Sequence, residues 1–161
     1  MQASTAGCRA SSGAELMFAF REVVVIARPP QEVFRVLTRF EDIPKFVPQV
    51  ASAEQTSPGE VSVGTTFVQR GRLLGRTIET PTVVTVHEPH SRFAYRADEG
   101  PLPYEAAYWF RPSDGGTLLE ADVTGRPKGP ARAFEPALKR LMQRVYSRNL
   151  ERLKVLVEEG D

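Results

Sequence analysis

Hydrophobic residues are distributed along the chain in two textures. From Val50 to Thr124 they come in short alternating runs broken by turn residues, and from Pro130 to Glu159 they recur with a helical period. In this last stretch Phe134, Leu138, Leu141, Met142, Val145, Leu153 and Leu156 share one face of a helical wheel, and Tyr146, Leu150 and Val157 widen it to nearly half the circumference. A helix from Pro136 to Glu159 would run about 36 Å at a rise of about 1.5 Å per residue, enough to lie across a whole sheet. Full burial of a large apolar side chain contributes roughly 1.5–3 kcal/mol, so such a stripe requires a large apolar partner. Pro136 either kinks this helix or marks its first turn. Asn149 sits in the middle of the apolar face, while Arg140, Arg144, Arg148 and Arg152 drift from the back of the helix toward its edge.

The rest of the chain supplies that partner. Leu16 to Arg28 alternates and then becomes β-branched, which predicts a long strand. Within it Glu22 falls in phase with the apolar side, either as an inward carboxylate or rotated outward by a bulge. Pro29 and Pro30 end the strand and suit the first turn of a helix reaching about Thr38, and a second short helix spans Glu41 to Val47. Strands are then predicted near Val50–Thr56, Thr65–Arg70, Thr77–His87, Arg92–Asp98, Tyr104–Arg111 and Thr117–Thr124, separated by Gly-, Pro- and Asp-bearing turns. Such short connections favour sequential antiparallel pairing. Pro81 places its strand at an edge or beside a bulge.

The predicted fold is therefore α+β: a curved seven-stranded antiparallel sheet, two short helices between strands 1 and 2, and a long C-terminal helix gripped by the sheet. A bent sheet around a single helix cannot close tightly along its whole length, so a cavity between them is expected.

Composition narrows the picture. A chain of 161 residues with net charge +1 exerts no global pull on nucleic acid or membrane, and no apolar run approaches the roughly 20 residues that span a bilayer. One cysteine, Cys8, rules out an intrachain disulfide or a cysteine zinc cluster and suits a cytoplasmic location. Residues 1–14 are small and polar and read as a disordered tail before a domain over 15–161, with Met1 or Met17 as the start.

The ordered set of motifs resembles the START/SRPBCC superfamily, the helix-grip fold of the birch pollen allergen, and more narrowly bacterial polyketide cyclase/dehydrase-like proteins. The residues that carry it run from Ile26 to Phe34 and from Phe40 to Val50. Val63-Gly64-Thr65, Glu88-Pro89 before Phe93, and Gly115-Gly116-Thr117 after Phe110-Arg111-Pro112 complete the set. The resemblance implies an apolar ligand cavity between the sheet and the last helix. Strand alternation offers Phe93, Tyr95, Tyr104, Tyr108, Phe110 and Leu119 as lining, with Met142, Val145 and Asn149 from the helix. Tyr104 and Tyr108 read either as lining or as locally satisfied core. Asn149 reads either as a ligand contact or as a buried amide with protein partners. Trp109 falls in the outward phase.

Chemistry beyond binding has weaker signals. Glu79, Tyr95 and Tyr104 are candidates for a general acid or base in a cyclase using the same cavity. His87 and His90 flank a turn without further ligands, so no metal is expected, and no phosphate cradle or other cofactor motif is present. The expected partner is a hydrophobic small molecule or lipid, with no nucleic acid. Arg140, Arg144 and Arg148 offer either a solvated face or peripheral contact with anionic headgroups.

Overall fold

The alternating runs form seven strands in a single sheet. The computed structural model describes residues 17–100 and 102–160, so Leu16 and the predicted tail lie outside the described residues. Strand β1 (Phe18–Ile26) leads into helix α1 (Pro30–Thr38), a 3-10 turn (Phe40–Asp42) and the one-turn helix α2 (Ile43–Phe46). Strands β2 (Val50–Gln55), β3 (Thr66–Leu73), β4 (Arg76–Glu88), β5 (Arg92–Ala97), β6 (Tyr104–Ser113) and β7 (Gly116–Gly125) follow. A second 3-10 turn (Gly129–Phe134) opens into the long helix α3 (Glu135–Glu159). Pro136 lies in its first turn, where a missing N–H has no cost.

The sheet order is β1-β7-β6-β5-β4-β3-β2, antiparallel throughout. Sequential hairpins account for β2 to β7, as expected. The first strand departs from that scheme: it pairs with β7 from Phe18↔Gly125 to Ile26↔Thr117. The two short helices carry the chain from β1 to the opposite sheet edge. Strand β4 pairs with β3 over Arg76–Val83 and with β5 over Val83–Glu88, so at Pro81 only β3 accompanies it and no ladder bond on the β5 side is lost. The bulge falls later, between Val84 and Val86. β1 has no register shift, so Glu22 stays in the inward phase, partly buried, and accepts a 2.9 Å hydrogen bond from Gln143 Nε2 of α3.

The concave face holds the core. Phe18, Phe20, Val24 and Ile26 of β1 pack beside Leu119, Ala121 and Val123 of β7, all buried. At the α1 end, Phe34 meets Phe110, His87, His90 and Phe93 at ring distances of 5.1 to 6.3 Å, so both histidines serve as aromatic neighbours. Phe40 stacks on Phe67 at 4.0 Å. On the outer face the Arg92 guanidinium lies 5.1 Å over the Trp109 ring.

Helix α3 is held mainly toward its C-terminal end. Leu150, Leu153 and Val157 are buried there. Arg28 donates to the Glu158 carbonyl at 2.7 Å, and the Ala27 amide donates to the Glu158 carboxylate at 2.8 Å. A cation at the negative end of a helix is favourably placed. The amino-terminal half is not gripped in this way. Phe134 and Leu141, which the helical period puts on the buried face, are 63% and 58% exposed. The wheel assumes that the whole width of the stripe is covered, whereas here Leu138 and Met142 pack against the core and Phe134 and Leu141 are left open.

Gly116 marks how closely β7 approaches the first strand: a Cβ there would lie 2.0 Å from the Ile26 carbonyl oxygen. Backbone would have to move to admit it. Gly116→Ala is expected to lower the unfolding free energy by about 1–3 kcal/mol, measured by urea denaturation. An unchanged midpoint would contradict this packing.

Candidate functional site

Where the sheet and the looser half of α3 diverge, a cavity of about 390 Å³ remains. Its floor is Gln69 of β3, Tyr95 of β5, and Tyr104 and Tyr108 of β6. α3 roofs it with Leu141, Met142, Val145, Tyr146, Asn149, Leu150 and Leu153. The remaining wall comes from the segment joining α1 to β2, with Leu37, Ile43, Phe46, Val47, Gln49 and Val50. Leu141 both lines the cavity and is mostly exposed, which places the mouth beside it.

The lining is apolar except for phenols and amides. No carboxylate, imidazole, amine or guanidinium contributes to it among the described residues. All four tyrosines of the chain face the cavity. Their hydroxyls converge: those of Tyr104, Tyr108 and Tyr146 lie within hydrogen-bonding reach of the Tyr95 hydroxyl. A phenol can donate once and accept twice, so the cluster can share hydrogen bonds among its own hydroxyls. The rings reinforce the cluster, with Tyr95 6.2 Å from both Tyr104 and Tyr108 and Phe20 5.6 Å from Tyr146.

Burial in apolar surroundings raises the pKa of all four phenols above the ordinary 10.0, because a phenolate would lose its hydration there. For Tyr95 the three hydroxyl partners oppose part of that rise; for Tyr104 and Tyr108 the neighbouring Tyr95 adds to it. The cluster is therefore neutral at physiological pH. It can donate hydrogen bonds and polarise a carbonyl, but it offers no base.

The amides are only partly satisfied. Asn149 Nδ2 donates to Gln49 Oε1 at 3.4 Å, leaving Asn149 Oδ1 without a partner on the protein. The Gln69 amide lies close enough to Tyr104 to favour its ionised form slightly, yet Gln69 Nε2 has no well-formed hydrogen bond. An unsatisfied buried donor or acceptor costs about 1–3 kcal/mol, so each of these atoms is a place where a ligand can gain.

Of the residues suggested by the sequence, the structure brings Tyr95, Tyr104, Tyr108, Met142, Val145 and Asn149 together around the cavity. Phe93, Phe110 and Leu119 point to the same face but lie outside the lining. Phe93 and Phe110 pack against Phe34 of α1, which fills that end of the sheet, and Leu119 is fully buried beside them. Glu79 is also placed elsewhere: it is exposed on β4, paired with Arg70 at 2.7 Å, and does not line the cavity. The hairpin tip at Leu74 is 95% exposed and does not line the cavity. Arg140, Arg144, Arg148 and Arg152 are exposed on α3 and make no ion pair among the described residues. The contributions of Gln69 and of the α2 wall were missed. Gln69 was legible in principle, because it alternates in phase with Phe67.

The sequence pattern of the family described as polyketide cyclase / dehydrase and lipid transport matches residues 17–158. The chain belongs to this family. An uncharacterised protein of Mycobacterium tuberculosis is 28% identical over 145 residues, covering 84% of this chain and 83% of its own. A START superfamily protein from Mycobacterium smegmatis shares the fold with a TM-score of 0.74 at 16% identity, over 88% of this chain and 97% of that one. The Zhui aromatase/cyclase from Streptomyces sp. R1128 aligns with a TM-score of 0.74 at 15% identity, over 89% and 95% of the two chains. The family member described here thus has the helix-grip fold of the START/SRPBCC superfamily. No helix among the described residues is long and apolar enough to cross a membrane.

The tyrosine cluster has a spectroscopic consequence. In the unfolded chain phenols ionise near their ordinary 10.0, and in the fold only at higher pH. Above that value the folded chain holds more protons, so stability is constant below it and falls as pH rises further. In an alkaline titration followed by phenolate absorbance, no tyrosine should ionise before the far-ultraviolet dichroism collapses. A phenolate signal in a protein that is still folded would contradict the buried cluster.

Proposed function

We propose that this family member binds one hydrophobic small molecule or lipid in the cavity and acts as a cytoplasmic carrier or sequestering protein. The reading rests chiefly on one observation: an apolar cavity of about 390 Å³ whose polar lining groups are all uncharged phenols and amides. That volume lies within the range of about 300–1,000 Å³ typical of small-molecule sites. The family description, which includes lipid transport, agrees with it, and the single cysteine suits a reducing compartment.

An aromatase/cyclase-type enzyme using the same cavity is the second reading. It is favoured by the fold shared with Zhui and by hydroxyls that can polarise a substrate carbonyl. Proton abstraction would need a base, and the lining holds none, with phenols that stay protonated. Binding without turnover is therefore preferred. A third use of the fold lies outside the cavity, where exposed Leu141 and Val155 flank Arg144, Arg148 and Arg152 along α3. Such a surface suits peripheral contact with anionic lipid, Arg140 extending it.

Native mass spectrometry of the purified protein tests the order of these readings. A single retained adduct, released unchanged on denaturation, is the expected result. An adduct that loses water while bound would favour the cyclase. A clean apo mass that no lipid or aromatic hydroxy-compound shifts would overturn the cavity reading and leave the arginine edge as the working surface.

A further inference from the structure

The identity of the two unpartnered atoms limits what the cavity can accept. Gln69 and Asn149 are only 8% and 7% exposed, and both line the cavity. Gln69 Nε2 is a donor and Asn149 Oδ1 is an acceptor. The Asn149 amide nitrogen is engaged by Gln49, and the four phenol hydroxyls, each able to donate and to accept, lie close to one another. What the cavity lacks is therefore one acceptor and one donor, supplied from outside the protein.

Three head-group chemistries can be weighed against that need. A carboxylate only accepts: it would serve Gln69, leave Asn149 Oδ1 facing its own lone pairs, and bring a charge to a lining without a cation. An ammonium only donates: it would serve Asn149 and leave Gln69 Nε2 unpaired. An uncharged group with both a carbonyl and a hydroxyl satisfies both atoms and carries no charge out of water.

Resting on the reading of the cavity as a ligand site, we propose that its ligand class is the neutral hydroxy-carbonyl compounds. The carbonyl oxygen accepts from Gln69 Nε2, and the hydroxyl donates to Asn149 Oδ1. The hydrocarbon body lies along Met142, Val145 and Leu153 toward the mouth at Leu141. Free fatty acids and alkylamines of the same length are disfavoured. Discrimination of this kind comes from the group left unpaired by the wrong ligand rather than from added contact with the right one.

The test uses monodecanoylglycerol, decanoic acid and decylamine as matched probes, competing at neutral pH with the uncharged dye Nile red on the full chain. The expected result is at least tenfold tighter binding of the hydroxy-ester than of either charged analogue. Asn149→Leu should narrow its advantage over the acid, and Gln69→Leu its advantage over the amine. Ligand-free Gln69→Leu should melt at or above the parent temperature, since it loses an unpartnered buried donor, while Asn149→Leu also removes the hydrogen bond to Gln49 and is judged by probe affinity. Equal affinity for the three probes, or dye binding that none displaces, would overturn the ligand class while leaving the cavity reading intact. A lower melting temperature of Gln69→Leu would overturn the assignment of that amide to the ligand, and an undiminished preference over the acid in Asn149→Leu would overturn that of Asn149. Failure of the dye and of every probe to bind would sink the cavity reading itself.

Discussion

One helix has to cover the concave face of seven strands, and it cannot do so evenly. The β1–β7 pairing brings the first strand against the last, and the Arg28–Glu158 contacts tie the end of α3 to the start of α1. Leu150, Leu153 and Val157 are buried as a consequence. Toward its amino terminus the helix runs beyond that grip, leaving Leu141 exposed and a cavity beneath Met142 and Val145. The cavity follows from the geometry of a straight rod on a bent sheet, and the segment around α2 only closes its side.

Given a gap of that kind, the residues around it decide its chemistry. A packed core would fill such a space with aliphatic side chains. Here the floor and roof contribute tyrosines and amides instead, and no charged group compensates for them. The four phenols gather around Tyr95, and burial in apolar surroundings keeps them neutral. Gln69 and Asn149 do not complete their hydrogen bonding within the protein. This combination suits recognition of an uncharged polar group on an apolar body better than it suits proton transfer.

The fold was legible because two periods are written clearly in the sequence. Alternation in Phe93–Ala97, Tyr104–Phe110 and Leu119–Val123 identifies the inward face, and the helical stripe identifies its cover. The edge partner of β1 was not legible, since turn chemistry speaks only for neighbouring strands. Alternation also reports facing without reporting position along the strand. It therefore gave Phe93 the same status as Tyr95, whereas α1 fills the space over one and leaves the other open. Phe134 and Leu141 misled for a related reason: a periodic stripe shows what a helix could bury, not how far its partner extends. Glu79 was ambiguous until its pairing with Arg70 placed it outside the lining.

The most direct measurement of the central claim is a nuclear magnetic resonance titration of protein labelled only at its tyrosine rings. All four tyrosines line the cavity, so each labelled ring reports on that one space. A hydrophobic hydroxy-carbonyl ligand should shift all four sets of signals together and saturate at one equivalent. Binding that leaves the tyrosine rings unmoved would contradict the account, because the ligand would then sit on the surface rather than between sheet and helix.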